Sequence, residues 1–172
     1  MGHGADLITE LGAVNRLVEL LFDQIERQRD PLLREELVER AAAQLLVNSL
    51  LEQQYLYPAV RDHVPGGAAI AARETADHGA MEQTLGQLAK LRPEGARFAR
   101  LVEALISDGR AHIQDEEHSL FPALQAVVTW EVLEDLGEKV RCAKRSATPA
   151  PTVFRAVPPP TPADRLRDAR SD

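Results

Sequence analysis

Apolar residues recur every three or four positions along most of this chain, which is the spacing that lines one face of an α-helix. The first such run consists of Leu7, Leu11, Val14, Val18, Leu21, Phe22 and Ile25. The pattern predicts five helices, over about residues 6–28, 31–58, 68–91, 96–126 and 129–143. Asp6 and Asp30 are suited to cap the first two helices, and Pro31 suits a first helical position. Gly- and Pro-rich breaks separate the second, third and fourth helices.

The chain also repeats itself at an offset of about 64 residues. Leu56-Tyr57-Pro58-Ala59 near the end of the second helix corresponds to Leu120-Phe121-Pro122-Ala123 near the end of the fourth. Two helical hairpins with short loops favour an all-α, up-down-up-down four-helix bundle. We therefore predict a bundle domain over residues 1–146 that includes a fifth, C-terminal helix. Residues 147–172 are rich in Pro and Ala and are predicted to form a disordered or extended tail.

Each of the four bundle helices carries a polar pair at a spacing of four residues. The pairs are Asn15/Glu19, Asn48/Glu52, His78/Glu82 and His112/Glu116. Residues four apart share a helix face, so inward-facing pairs would form a polar cluster inside the bundle. A single pair of this kind is usually a surface contact or a satisfied core polar group. Several buried carboxylates together are costly unless they are paired or bind a cation, and imidazole and carboxylate are metal ligands.

With these motifs, the sequence over about residues 6–142 resembles the hemerythrin-like HHE cation-binding domains. The fourth helix carries the family's His-x-x-x-Glu run and its Leu-Phe-Pro ending, in His112, Glu116, Glu117, Leu120, Phe121 and Pro122. The third helix matches through Asp77-His78, with Glu82 one turn further on. The second helix matches through Glu52, Leu56, Tyr57 and Pro58.

The sequence departs from the family pattern in the first hairpin. Asn15 and Asn48 stand where the family has histidines, and Gln53 stands where a second Glu often follows. The resemblance implies that one of two iron subsites has lost its histidines. It implies that the other keeps His78 and His112.

The same resemblance assigns the remaining ligands. It implies that Glu82 is the third ligand of the surviving subsite and that Glu52 and Glu116 occupy the bridging positions. Reversible oxygen carriage needs two irons and is not expected. We predict one iron ion per chain and a protein that handles O2, peroxide or a small organic substrate.

A substrate pocket is expected beside the surviving subsite, lined by Asn15, Glu19 and Asn48. Tyr55 lies two helical turns after Asn48 and could point into the same space. Tyr55 and Glu52 are therefore the candidate catalytic residues.

Two other readings of the polar cluster remain open. Without any metal, the crowded carboxylates would raise one another's pKa values and the imidazoles would share their protons, which suits general acid–base catalysis by an isomerase or cyclase. Alternatively, the bundle is not catalytic and binds a ligand or a partner.

The composition restricts which binding partners and which cellular compartment we expect. The net charge of −7 and the sequence pI of about 5.3 argue against nucleic acid. No long apolar run or signal sequence is apparent, so no membrane association is predicted. A lone cysteine, Cys142, suits a reducing compartment. We expect a cytoplasmic protein that acts on a small molecule.

Overall fold

The computed structural model of the chain describes residues 4–146, and this part is helical without a β-strand. The segments are α1 (Leu7–Arg27), α2 (Pro31–Leu51), π1 (Glu52–Leu56), α3 (Tyr57–His63), α4 (Gly67–Leu88), α5 (Ala96–Asp115), π2 (Glu116–Leu120), α6 (Phe121–Gln125) and α7 (Trp130–Ser146). Because α2–π1–α3 and α5–π2–α6 are each continuous, these segments make the five helices that the sequence predicts. The predicted tail at 147–172 lies outside the described residues.

Helix starts follow the capping signals of the sequence. The Asp6 carboxylate accepts a hydrogen bond from the Thr9 backbone N–H at 2.8 Å. Asp30 accepts from the N–H groups of Leu32 and Leu33, and Pro31 takes the first helical position. Such caps satisfy backbone donors that have no partner within the helix.

Two wide π-helical turns interrupt the second and fourth helices at equivalent points of the repeat. The Tyr57 N–H bonds to the Glu52 carbonyl, and the Phe121 N–H bonds to the Glu116 carbonyl, each spanning five residues. Each turn ends two residues before a proline, whose ring crowds the preceding turn and which lacks an N–H. The sequence predicts that Pro58 kinks or ends its helix. The helix does not end there: the π turn accommodates the proline, and the helix continues to His63.

Buried apolar residues form two clusters with polar residues between them. One cluster contains Val18, Leu21, Phe22, Ile25, Val38, Leu45, Leu85, Phe98 and Leu105 among others. The other contains Leu7, Leu11, Leu56, Tyr57, Val60, Leu120, Leu124, Leu133 and Val140 among others. In each cluster, residues near the end of one long helix pack against residues near the start of the next. This packing is what an up-down-up-down arrangement of the four helices requires, and the arrangement itself stays a prediction.

The fifth long helix, α7, packs on α1. Lys144 Nζ lies 2.9 Å from one carboxylate oxygen of Glu10, and Arg141 Nη1 lies 3.3 Å from the other. Gly137 faces the backbone of Ala5 and Asp6 with no room for a Cβ, so a larger residue there would push the helices apart. Over the described residues, every helix is too short or too polar to cross a bilayer.

Candidate metal centre

Three buried side chains from three helices converge on one point between the apolar clusters. His78 Nε2 lies 2.9 Å from His112 Nε2 and 3.0 Å from Glu52 Oε2. Glu52 Oε2 is 3.8 Å from His112 Nε2. We call Glu52, His78 and His112 the inner group. Ligands on one metal ion, each about 2.1 Å from it, lie roughly 3.0–3.4 Å apart, so the spacing of the inner group suits a shared ion.

The packing pattern of α4 explains why His78 points inward. Its buried residues follow a three–four spacing, which makes a single stripe along the helix. The stripe comprises Ala71, Glu74, His78, Met81, Leu85 and Leu88. His78 and Glu74 therefore face the interior, although both are polar. Glu74 is 1% exposed, and its Oε2 lies 3.2 Å from His112 Nδ1.

Tyr57 enters the site because of the first π turn. In a regular α-helix, residues five apart point about 140° away from each other. The wider turn brings Tyr57 round to the face of Glu52. Its hydroxyl donates to Glu52 Oε2 at 3.3 Å and lies 3.1 Å from His78 Nε2. Tyr57 is 1% exposed, so this hydroxyl is a buried polar group next to the inner group.

Two buried amides occupy the N-terminal side of the same cluster. Asn15 Nδ2 donates to Glu116 Oε2 at 3.3 Å, and Asn48 Nδ2 lies 3.2 Å from Asn15 Oδ1. Asn48 also donates to Glu52 Oε1. The amides thus supply N–H donors to two carboxylates at the place where a second cation would otherwise be needed.

The carboxylates of Glu52 and Glu116 have opposite pKa shifts. Burial raises the pKa of Glu52, but contacts with His112 and His78 outweigh it and leave the pKa below its usual value. Burial, reinforced by the charge of Glu52, raises the pKa of Glu116 well above its usual value. Burial also raises the pKa of the Tyr57 hydroxyl, and the charge of Glu52 adds to this. The metal-free site therefore has Glu52 ionised, with Glu116 and Tyr57 favouring their neutral forms.

His112 carries the charge that balances Glu52. Burial lowers its pKa, but contacts with the carboxylates of Glu52 and Glu74 outweigh burial and raise the pKa to about 10. Without a cation, one of the two facing Nε2 atoms must carry a proton.

The donor chemistry of the site fits a divalent metal ion. Two imidazole nitrogens and a carboxylate form the ligand set of mononuclear non-haem iron sites with open positions. Glu116 Oε1 is buried without a hydrogen-bond partner and lies 3.5 Å from His112 Nε2. It is therefore free to act as a further ligand. Among the described residues, the inner group is one of two sets with metal-ligand spacing.

Three of the predicted site residues lie away from this cluster. Glu82 is exposed, and its Oε1 accepts from Ser49 Oγ at 3.4 Å. Glu19 is part of a surface network, where its Oε2 lies 3.0 Å from Arg110 Nε. Tyr55 is half-buried beside an apolar cluster. The structure therefore does not place Glu19, Tyr55 and Glu82 in the buried cluster, where the sequence predicted them.

Glu74 and Tyr57 are the residues that sequence reasoning missed. The signal for Glu74 was present in the sequence, because it falls on the apolar stripe of α4 whereas Glu82 falls beside it. The signal for Tyr57 was the proline after it, which favours an irregular turn. The six remaining predicted residues are all buried: Asn15, Asn48, Glu52, His78, His112 and Glu116.

A solvent-open cleft of about 380 Å³ reaches the cluster from the groove between α4 and α5. Its walls carry Glu74, Asp77, Ala80, Met81, Asp108, Ala111, His112 and Asp115. The predicted pocket residues Asn15, Glu19 and Asn48 do not line this cleft. A small molecule from solvent would therefore meet His112 and Glu74 before any other polar residue of the cluster.

Comparison with known proteins agrees with the helical fold. A crystal structure of a hemerythrin HHE cation-binding domain-containing protein from Mycobacterium kansasii matches with a TM-score of 0.72 at 20% identity, over 82% of this chain and 86% of that one. A protein of Nostoc sp. described as a DNA nickase is 24% identical over 127 residues, which are 74% of this chain but 36% of the nickase. The chain thus spans about a third of that curated relative's length. The sequence profile of the hemerythrin HHE cation-binding domain matches residues 6–124. This chain belongs to the hemerythrin HHE cation-binding domain family.

Proposed function

We propose that this chain binds one divalent metal ion, iron by preference, at Glu52, His78 and His112. The observation that carries the proposal is the asymmetry of the buried cluster. Both imidazoles come from α4 and α5 and meet Glu52 of π1, while α1 and α2 contribute the amides of Asn15 and Asn48. Neutral amides are weak ligands for such ions, so the arrangement supports one subsite.

The amides also replace the electrostatic role of a second cation. Each buried carboxylate needs hydrogen-bond donors or a positive charge to offset its lost hydration. Asn15 and Asn48 supply donors to Glu116 and Glu52. A dinuclear site would need those carboxylate oxygens as metal ligands instead.

Iron bound at this site would supply redox chemistry toward O2, peroxide or a small organic molecule. The residues of the chain have separate roles around it. Tyr57 and Glu116 hold protons next to the inner group in the metal-free chain, because their pKa values are raised. The Tyr57 hydroxyl can therefore donate a hydrogen bond to Glu52 or to a small molecule bound beside it. Leu56, Leu120 and Phe121, which belong to or directly follow the two π turns, are buried beside the polar cluster and add apolar packing at that end of the bundle.

A small molecule is the partner that we propose, as the cleft between α4 and α5 suggests. Its walls carry four carboxylates, from Glu74, Asp77, Asp108 and Asp115. Carboxylates repel the phosphates of nucleic acid, so the cleft suits a neutral or cationic molecule.

Metal stoichiometry tests the proposal. After anaerobic loading with Fe2+ and desalting, elemental analysis should find about one iron per chain. The double variant Asn15→His with Asn48→His restores two imidazoles and should bind about two. Asn15→Gln with Asn48→Gln is the matched control, because it adds similar volume without an imidazole and should stay at one or fewer.

Two outcomes of this experiment would contradict the proposal. Two irons in the unaltered chain would mean that the amide side is a metal subsite after all. If the chain binds no metal under any loading condition, the inner group is not a metal site.

Metal-free acid–base catalysis is the second candidate, favoured by the opposite pKa shifts of Glu52 and Glu116. Two neighbouring groups whose pKa values are shifted in opposite directions can act as an acid and a base. In that case Glu52 accepts a proton and Glu116 donates one. Turnover that persists in chelator-treated protein and is lost in Glu52→Gln would support this candidate over the metal-dependent one.

A further inference from the structure

The cleft between α4 and α5 contains a second set of ligand-bearing side chains. Glu74, Asp77 and His112 each offer one donor atom, and these atoms lie within 4.8 Å of one another. We call them the outer group. Glu74 and His112 are buried, while Asp77 is exposed at the cleft. The outer group therefore extends from the interior to the solvent.

His112 belongs to both groups through different ring atoms. Its Nε2 faces His78 and Glu52, and its Nδ1 faces Glu74. The Nδ1 atom is buried without a hydrogen-bond partner, although Glu74 Oε2 is only 3.2 Å away. On a neutral imidazole ring, a buried nitrogen next to two carboxylates is a ligand position, because a cation placed between them would contact all three.

The charge of the cleft attracts cations. Four carboxylates line it, and Arg73 offsets part of their charge by pairing with Glu74 Oε1 at 2.7 Å and with Asp115. Arg73 holds only one oxygen of Glu74, so Oε2 stays directed toward His112. Clefts lined by one sign of charge concentrate the opposite ion and accelerate its binding.

We propose that the outer group is a second, weaker binding site for a divalent transition-metal cation, through which the cation reaches the inner group. The transfer role rests on the proposed function of the inner group. An imidazole that binds metal through Nε2 ordinarily keeps its proton on Nδ1. The two sites therefore compete for His112 and are occupied in succession.

Stopped-flow uptake of Co2+ by the metal-free full chain, followed by its visible absorption, tests the outer group. Asp77→Asn removes an outer ligand without touching the inner group. Its uptake should be at least about tenfold slower, because the lost ligand weakens the outer site on the order of 10–100-fold and the cation passes through that site. The final affinity should stay unchanged. Asp108→Asn is the matched control, since it removes the same charge from the same cleft outside the outer group.

A second background isolates the outer site at equilibrium. In His78→Ala the inner group lacks a ligand, and weak Co2+ binding should remain. Adding Asp77→Asn to this background should abolish that binding, whereas adding Asp108→Asn should leave it.

The outcomes separate the two proposals. Equal slowing by Asp77→Asn and Asp108→Asn would mean that the cleft acts by charge alone, and unchanged rates would mean that cations arrive elsewhere. Either result contradicts the proposed outer site. An unchanged final affinity for Co2+ would still support metal binding at the inner group. If the unaltered chain takes up no Co2+, the proposed function itself fails.

Discussion

Replacing Tyr57 with phenylalanine removes one hydroxyl from the centre of the buried cluster and changes almost nothing else. That hydroxyl donates to Glu52 Oε2 at 3.3 Å and lies 3.1 Å from His78 Nε2. Hydrogen bonds to charged groups contribute about 1.5–3 kcal/mol, and Glu52 is ionised because its pKa is lowered. We expect the free energy of unfolding of the metal-free chain to fall by about 1–3 kcal/mol, measured by urea unfolding at pH 7.

The matched control is Tyr55→Phe, two residues earlier. Tyr55 is half-buried and packs beside apolar side chains, so its loss should cost less than about 0.5 kcal/mol. Equal effects of the two variants, or a larger effect of Tyr55→Phe, would refute the reasoning. Such a result would mean that the π turn does not direct Tyr57 into the site.

Two further predictions concern the charges of the site. Glu52→Gln should destabilise the metal-free chain by about 3 kcal/mol because it removes one of the two carboxylates that balance buried His112, and Glu74 alone remains. Glu116→Gln should change stability little, since the raised pKa of Glu116 already favours the neutral acid. Urea unfolding of both variants checks this, and an equal loss would contradict the opposite pKa shifts. The pKa of His112 is raised from 6.5 to about 10, so its contribution to metal-free stability is complete below about pH 6.5 and is lost as the pH rises toward 10. Metal affinity should change in the opposite direction and increase over the same range, because the imidazole must release its proton to bind. Unfolding and Co2+ titrations at several pH values test both trends, and a His112→Gln variant that kept the stability trend would refute this assignment.

Much of the architecture was predictable from local patterns. The three–four apolar spacing predicted all five helices, and the capping roles of Asp6 and Asp30 are confirmed. These features depend on residues near one another in sequence, where propensity and capping act directly. The repeat at 64 residues likewise placed Glu52 and Glu116 at equivalent points, and both start a π turn.

By itself, then, the sequence determined the helical pattern, the family and the inward-facing histidines His78 and His112. Only the tertiary structure decided which neighbours complete the site. Counting two regular turns from Asn48 selected Tyr55, but the π turn places Tyr57, five residues after Glu52, on the face of Glu52 instead. Counting forward from His78 selected Glu82, but Glu74 lies on the packed stripe and meets His112 from the neighbouring helix. A ligand set depends on distances between atoms of different helices, and the periodicity of a single helix does not contain those distances.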